Sequence, residues 1–463
     1  MKIGFRAEKD YLGIKRVPSR AYYGIQTQRA LDNFKVSGLH LQKSLIYSLA
    51  LIKKAAAMSN IKSKKLEKKI GYAIIKACDD ILAGKLDPEF YVDVFQAGAG
   101  TSENMNLNEV IANRALEIIG RKRGSYHIIN PNDHVNMSQS TNDVFHTAIH
   151  LAAYTEIIVK LVPALANLEK ELYRKSLQFK KIFKSGRTHI RDAMPMTLGQ
   201  EFSGYASAMH KNRMQIANAS NGLLEINIGG TAIGTGINTT AYYRKNIIKE
   251  INKLTKYRFR SSKNLFEATQ NIDAITYTSS VLKVLAVNLI KLANDLRLLN
   301  SGPATGFNEI VLPPIQPGSS IMPGKVNPSI AEMLDMVGFQ VIGNDTTITM
   351  CAQAGELELN VMMPLSAYAL LNSIQILSNG VGIFTERCIN GIKANKKKCN
   401  EYLEKNPIIV TALAPYIGYA KAAEIAKRAY KEDKTVKEIL LKEKLMDKKR
   451  LEKLLNVKKM IRG

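Results

Sequence analysis

Long apolar runs are missing from this 463-residue chain. None approaches the roughly 18 residues that a helix needs to cross a bilayer. The opening MKIGFRAEKDYLG lacks the basic head and apolar core of a secretory leader. A cytoplasmic protein without a membrane partner is expected. Cysteine is scarce too: Cys78, Cys351, Cys388 and Cys399 are scattered with no CxxC, which argues against a disulfide framework or a zinc site. Cys351, in TMCAQAG, reads as a small buried residue. The seven histidines form no HExxH motif. His146 and His150 share a helical spacing but have no carboxylate to complete a ligand set. No metal and no cofactor is expected. Phosphate cradles are absent as well, because AGAGT lacks a GK[ST] ending and IGTGINT follows no strand. Alternating strand runs are missing, which excludes a parallel-sheet nucleotide-binding fold.

Acidic residues are outnumbered, 40 against 66 basic, for a net charge of +26. Such a balance can mark nucleic-acid binding. Here the lysines are dispersed and lack interleaved aromatics, so no nucleic-acid partner is expected. Clusters such as KSKKLEKK at 62–69 read as solvated helix faces. A positive background would also concentrate a dicarboxylate.

What remains is helix, and the chain is predicted to be all-α. Leu161, Leu165, Leu168, Leu172, Phe179 and Phe183 form one stripe of a long helix that Pro163 starts or kinks. Leu370, Ile374, Leu377, Val381 and Phe384 alternate steps of four and three, a coiled-coil-like seam. Val281 to Leu299 is apolar on nearly every face, which suggests the centre of an oligomeric bundle. Pro and Gly punctuation divides the chain into an N-terminal, mostly helical region 1–140, a long-helix bundle 141–398, and a small C-terminal helical domain 399–463. In the last, Thr435 and Glu438 form a capping box.

One stretch inside the bundle cannot be helix or strand. PPIQPGSSIMPGKVNP, residues 313–328, holds five prolines and two glycines around Ser319, Ser320, Lys325 and Asn327. A loop this long in a compact enzyme is usually a lid or binding loop. Its side chains offer a hydroxyl to deprotonate, a cation for a carboxylate and amides to orient it. Three further segments set small polar residues beside glycine or in polar runs: Gly98 to Ser102, Ser138 to Asp143, and Gly186 to His189. Each alone reads as a cap or turn. Together they suit a small dicarboxylate.

GSSIMPGKVNP at 318–328 resembles the signature loop of the fumarase/aspartase superfamily. Further blocks resemble it in the same order: VPSRAYYGIQTQRALDNF, AGAGTSENMNLNEVIANRALE, NPNDHVNMSQSTND, GRTHIRDAMPMTLGQEF, GGTAIGTGINT and IGNDTTITMCAQAGELELNVMMP. The resemblance spans roughly residues 5 to 420. It implies a three-domain fold with five long helices per subunit, a twenty-helix homotetramer core, and active sites shared between subunits.

It also implies roles. Ser319 is the base that takes the proton beside a carboxylate, which requires N–H groups and Lys325 to stabilise an alkoxide. Thr101, Ser140, Thr141 and Ser320 donate hydrogen bonds where negative charge develops. Lys325 and Asn327 clamp the other carboxylate. His189 and Asn142 lie near the leaving group, with Glu332 as a partner for His189, and Thr188 is a further substrate-binding residue. GAGTS, STND and the 342–364 block are nearest the ammonia-lyases, whereas QTQRALDNF, DVFHTAIHLAA and EFSGY are fumarase-like. His146 and Met363 depart from both patterns. The expected activity is reversible deamination of L-aspartate to fumarate and ammonia. Fumarate hydration is the alternative, and a non-enzymatic binding protein on the same scaffold a remote one.

Overall fold

The computed structural model describes residues 4–461; Met1 to Ile3, the start of the N-terminal stretch considered above, lie outside the described residues. Helices dominate, and every sheet among the described residues has only two strands. The longest helices are Lys43–Lys62, Leu198–Ser220, Asp273–Leu299, Ser329–Gln353 and Met363–Arg387. Contacts divide the chain into two compact units. One comprises the chain up to Val162 with Met214–Val284 and Phe339–Leu377. The other comprises Pro163–Arg213, Leu285–Gly338 and the chain from Ser378 onward.

In the first unit, Lys43–Lys62 packs against Lys68–Leu82, Thr141–Glu156 and Ala241–Thr255. Its apolar side chains Leu45, Leu49 and Ile52 are fully buried, and this burial drives the packing. The helix Thr101–Ile118 packs on Lys68–Leu82 and on Ile25–Asn33. Ile25–Asn33 has no side-chain cap of its own. Instead the buried Glu109 accepts from the N–H groups of Gly24, Gln26 and Thr27 at 2.8–3.0 Å. A carboxylate suits the positive end of a helix.

In the second unit, the antiparallel strands Phe183–Thr188 and Arg191–Thr197 form a hairpin. The C-terminal segment has its own apolar core, including Leu413, Ile425, Ile439, Leu440 and Leu451. The capping box of Thr435 and Glu438 is present.

The predicted seam is fully buried at Leu370, Ile374, Leu377, Val381 and Phe384. The other stripe ends earlier than its spacing suggested. A π-helical turn, Ile157–Leu161, precedes the helix Val162–Gln178, where Pro163 supplies no N–H. Phe183 belongs to the hairpin, not to that helix. Two helical stretches, Thr141–Gln178 and Asp273–Leu299, are apolar enough on average to span a membrane by length and composition, although counting uninterrupted runs did not register them. Both are interrupted by charged or polar residues, and under half of each apolar window is buried within the chain. Asp273–Leu299 leaves Val284, Val287 and Leu298 exposed, and Ser329–Gln353 leaves Met336, Phe339 and Met350 exposed.

Candidate active site

Thr101, Ser140, Thr141 and Asn142 belong to the first unit; Thr188, His189, Ser319, Ser320, Lys325, Asn327 and Glu332 belong to the second. Each group is organised by its own backbone.

Thr101 begins a helix directly after Gly100, which sits at φ +83°. A Cβ on Gly100 would lie 2.4 Å from the Phe145 ring, so both its conformation and its packing demand glycine. Ala99 N–H donates to the Val361 carbonyl at 2.8 Å. That bond ties the AGAGTS turn to the end of the 342–364 block and leaves the Thr101 side chain exposed.

Ser140 caps the helix Thr141–Glu156 in a capping box with Asp143. The second oxygen of Asp143 accepts from the N–H groups of Gly229 (2.9 Å) and Thr231 (3.1 Å). Asn142 Nδ2 donates to the Ala232 carbonyl at 2.7 Å. These bonds hold the GGTAIGTGINT loop against the STND turn. Burial pushes the Asp143 carboxyl up to about 6, against those N–H donors and the nearby Lys53. Burial pushes Lys53 down to about 7, partly offset by Asp143. Thr141 Oγ1 accepts from Asn104 Nδ2 at 2.9 Å.

In the second unit, residues 313–328 form neither helix nor strand, as their composition predicts. Ser319 Oγ accepts two backbone hydrogen bonds, from Met322 N–H at 2.9 Å and Ile321 N–H at 3.2 Å. The turn is closed by Gly318 N–H donating to the Lys325 carbonyl at 2.7 Å and Asn327 Nδ2 donating to the Gly318 carbonyl at 2.7 Å. A Cβ at Gly318 would lie 2.7 Å from Asn327 N, so the closure needs glycine there. Lys325 and Ser320 are exposed and Asn327 is half-buried.

Thr188 and His189 occupy the tip of the hairpin, where His189 and Ile190 have φ of +53° and +57°. The flanking pair Thr188 and Arg191 face each other in register, making a two-residue turn with left-handed backbone at both positions. An isoleucine in that region is strained. The base of the hairpin is held electrostatically. Arg187 makes two parallel bonds to Glu309, both 3.0 Å, and lies 4.3 Å from the Phe307 ring centre. Lys184 reaches Glu309 at 2.8 Å and Glu201 at 2.7 Å. Burial alone would depress Arg187, yet the Glu309 carboxylate holds it above its usual value. Glu332 lies in the first turn of Ser329–Gln353, and among the described residues no hydrogen bond or ion pair joins it to His189. A cavity of about 540 Å³ in this unit is lined by Lys184, Arg187 and Tyr205 but by none of the predicted site residues.

Among the organising residues, Lys53 and Glu309 lie outside every segment singled out from the sequence, whereas Asn104, Asn136, Asp143 and Arg187 lie inside quoted blocks but had been given no role. One signal was available for part of this set. NMNLN places three asparagines in a helix interior, where asparagine is a poor helix former.

A family model described as Lyase matches residues 13–343, and one described as Fumarase C C-terminus matches residues 409–462. An aspartate ammonia-lyase of a Bacillus species is 47% identical over 456 residues, covering 98% of this chain and 97% of that one. A class II fumarate hydratase of Nitrosomonas europaea is 48% identical over 438 residues, covering 95% of each. A solved structure titled fumarate lyase:delta crystallin from Brucella melitensis, bound to cobalt, superposes with a TM-score of 0.96 at 46% identity, covering 99% of this chain and 100% of that one.

Proposed function

Since the chain belongs to the fumarase/aspartase superfamily of lyases, we propose that it is an aspartate ammonia-lyase, interconverting L-aspartate with fumarate and ammonia. The observation that carries the mechanism is the pair of backbone N–H groups on Ser319 Oγ. A serine hydroxyl is a poor base in water. Two fixed donors favour its anion, helped by the positive charge of Lys325 in the same turn, which lowers the cost of deprotonation. Once its own proton has passed to solvent, Ser319 takes a proton from C3 of aspartate. The electron pair left behind delocalises into the adjacent carboxylate, giving an aci-carboxylate dianion. As it returns to form the C2–C3 double bond, the C–N bond breaks and its electrons depart with ammonia. The leaving group already carries its proton as ammonium, so no strong acid is required.

Thr101, Ser140, Thr141 and Ser320 donate to the carboxylate that gathers charge, and Lys325 with Asn327 holds the other. Asn142 and Asn327 each have one amide hydrogen engaged by a backbone carbonyl, which fixes the amide and leaves its second hydrogen for substrate. Thr188, His189 and Glu332 serve the leaving-group side.

The site is completed in a homotetramer, where neighbouring subunits bring the three segments together. The exposed Val284, Val287, Met336 and Phe339 support this, as faces that another copy would cover. We also take 399–463 as a small helical domain with its own core, following 1–140 and 141–398, and the enzyme as cytoplasmic.

GAGTS, STND and the 342–364 block favour ammonia as the leaving group. Fumarate hydration is the second reading, favoured by a hydratase relative at 48% identity against 47% for the ammonia-lyase and by the presence of both His189 and Glu332. Hydroxide needs an acid to leave, which those residues could form. Supplying the purified chain with L-aspartate and with L-malate in parallel separates the two. Fumarate formation from malate alone would replace the ammonia-lyase assignment with the hydratase.

A further inference from the structure

Thr141 is a donor to substrate only if its hydroxyl hydrogen points outward, and a hydroxyl free to rotate has no reason to do so. Behind it lies a buried amide cluster within the first unit. Asn136 Nδ2 donates to the Gln139 carbonyl at 3.2 Å, an oxygen that can only accept. This fixes the Asn136 amide, with Oδ1 turned to Lys53 Nζ (2.7 Å), Asn108 Nδ2 (3.2 Å) and Asn104 Nδ2 (3.4 Å). Asn104 is 1% exposed, so no solvent reorients it. Its Nδ2 therefore faces two acceptors, Asn136 Oδ1 and, at 2.9 Å, Thr141 Oγ1. Flipping the amide would set its oxygen against Asn136 Oδ1, which is already fixed as an acceptor.

We propose that Asn104 is a positioning residue that sets the direction of the Thr141 hydroxyl. By donating to Oγ1 it occupies the inward lone pair and leaves the hydroxyl hydrogen to point away from the cluster, toward a substrate carboxylate. A donor aimed in advance is worth more in the transition state than one that must turn. The inference rests on the reading of Thr141 as a substrate-binding hydroxyl.

The test is a double-mutant cycle of Asn104→Asp with Thr141→Val, read as kcat/KM on L-aspartate, or on L-malate where the parallel assay shows that to be the substrate. Aspartate at 104 has the same shape but accepts, so it turns the Thr141 hydrogen inward. Each single variant is expected to lose about tenfold or more, the range for hydrogen bonds to charged groups. With Thr141→Val already in place, Asn104→Asp is expected to change kcat/KM by less than about threefold, because no hydroxyl remains to direct. Equal losses in both backgrounds would overturn the inference while leaving Thr141 in the site. A Thr141→Val variant with the parent's kcat/KM would remove the site reading and the inference together. Should Asn104→Asp fail to fold, neutral Asn104→Leu carries the same cycle. In the unmutated enzyme, neutron diffraction would locate the hydrogen itself. Found pointing away from Asn104 it supports the inference; found between Thr141 Oγ1 and Asn104 it ends it.

Discussion

Replacing Glu309 by glutamine tests how the hairpin that carries Thr188 and His189 is held. Glu309 is fully buried and meets two cations, Arg187 through a bidentate pair and Lys184 at 2.8 Å. Glutamine preserves the shape and deletes the charge, leaving Arg187 without a counter-ion in an enclosed site. Breaking a buried ion pair from one side costs about 3–5 kcal/mol. Lys184 keeps Glu201 at 2.7 Å, so the lower end, about 3 kcal/mol, is expected. That corresponds to roughly a hundredfold shift in the folded population. Arg187 is adjacent to Thr188 and two residues from His189, so the loss also loosens the turn that carries them, and kcat should fall with stability. Urea unfolding at one fixed protein concentration, which keeps oligomerisation constant, measures the first effect and steady-state kinetics the second. An unchanged midpoint with unchanged kcat would refute the claim that this cluster anchors the hairpin. A lowered midpoint with full activity would refute its link to catalysis.

Lys325→Ala is expected to raise KM and also lower kcat, because a clamp on a dicarboxylate tightens as charge builds in the transition state; a wild-type KM would mean that the lysine only steadies the loop. Glu103→Gln should stabilise the enzyme in a pH-dependent way. Burial pushes the Glu103 carboxyl up to about 8, opposed by the Gln96 side chain. A folded value above the unfolded one means that ionisation opposes folding. The parent is therefore most stable below about 4.5 and loses stability as pH rises toward 8, by about 3 kcal/mol at pH 7. The gain from glutamine should be larger at pH 8 than at pH 5, and a pH-independent gain in unfolding midpoint would contradict the assignment.

Much of this architecture was legible because side-chain type and spacing encode it directly. Alternating steps of four and three over Leu370 to Phe384 give a buried helix face, and prolines at 313, 314, 317, 323 and 328 forbid regular structure around Ser319. The extent of the stripe after Leu172 was not legible, because Phe183 keeps helical spacing but lies in a strand. Nothing in local composition marks where pairing with Arg191–Thr197 takes over. The hairpin itself escaped notice since its strands do not alternate cleanly and its turn uses His189 and Ile190 instead of the asparagine or glycine that signals such a loop. The loop residues were found by motif, but the two N–H donors on Ser319 are backbone groups and leave no mark in side-chain identity. Lys53, Asn136 and Glu309 act through partners distant in sequence, which only folding brings together.

One stoichiometric assay tests the reaction and its base together. Purified enzyme is given L-aspartate, and ammonia and fumarate are quantified together, beside a Ser319→Ala variant of unchanged assembly. The parent is expected to release equimolar ammonia and fumarate, and the variant to lose about a hundredfold or more, the usual contribution of a positioned general base. No ammonia from the parent, with malate formed when fumarate is supplied, would contradict the reaction; full turnover by Ser319→Ala would contradict the base.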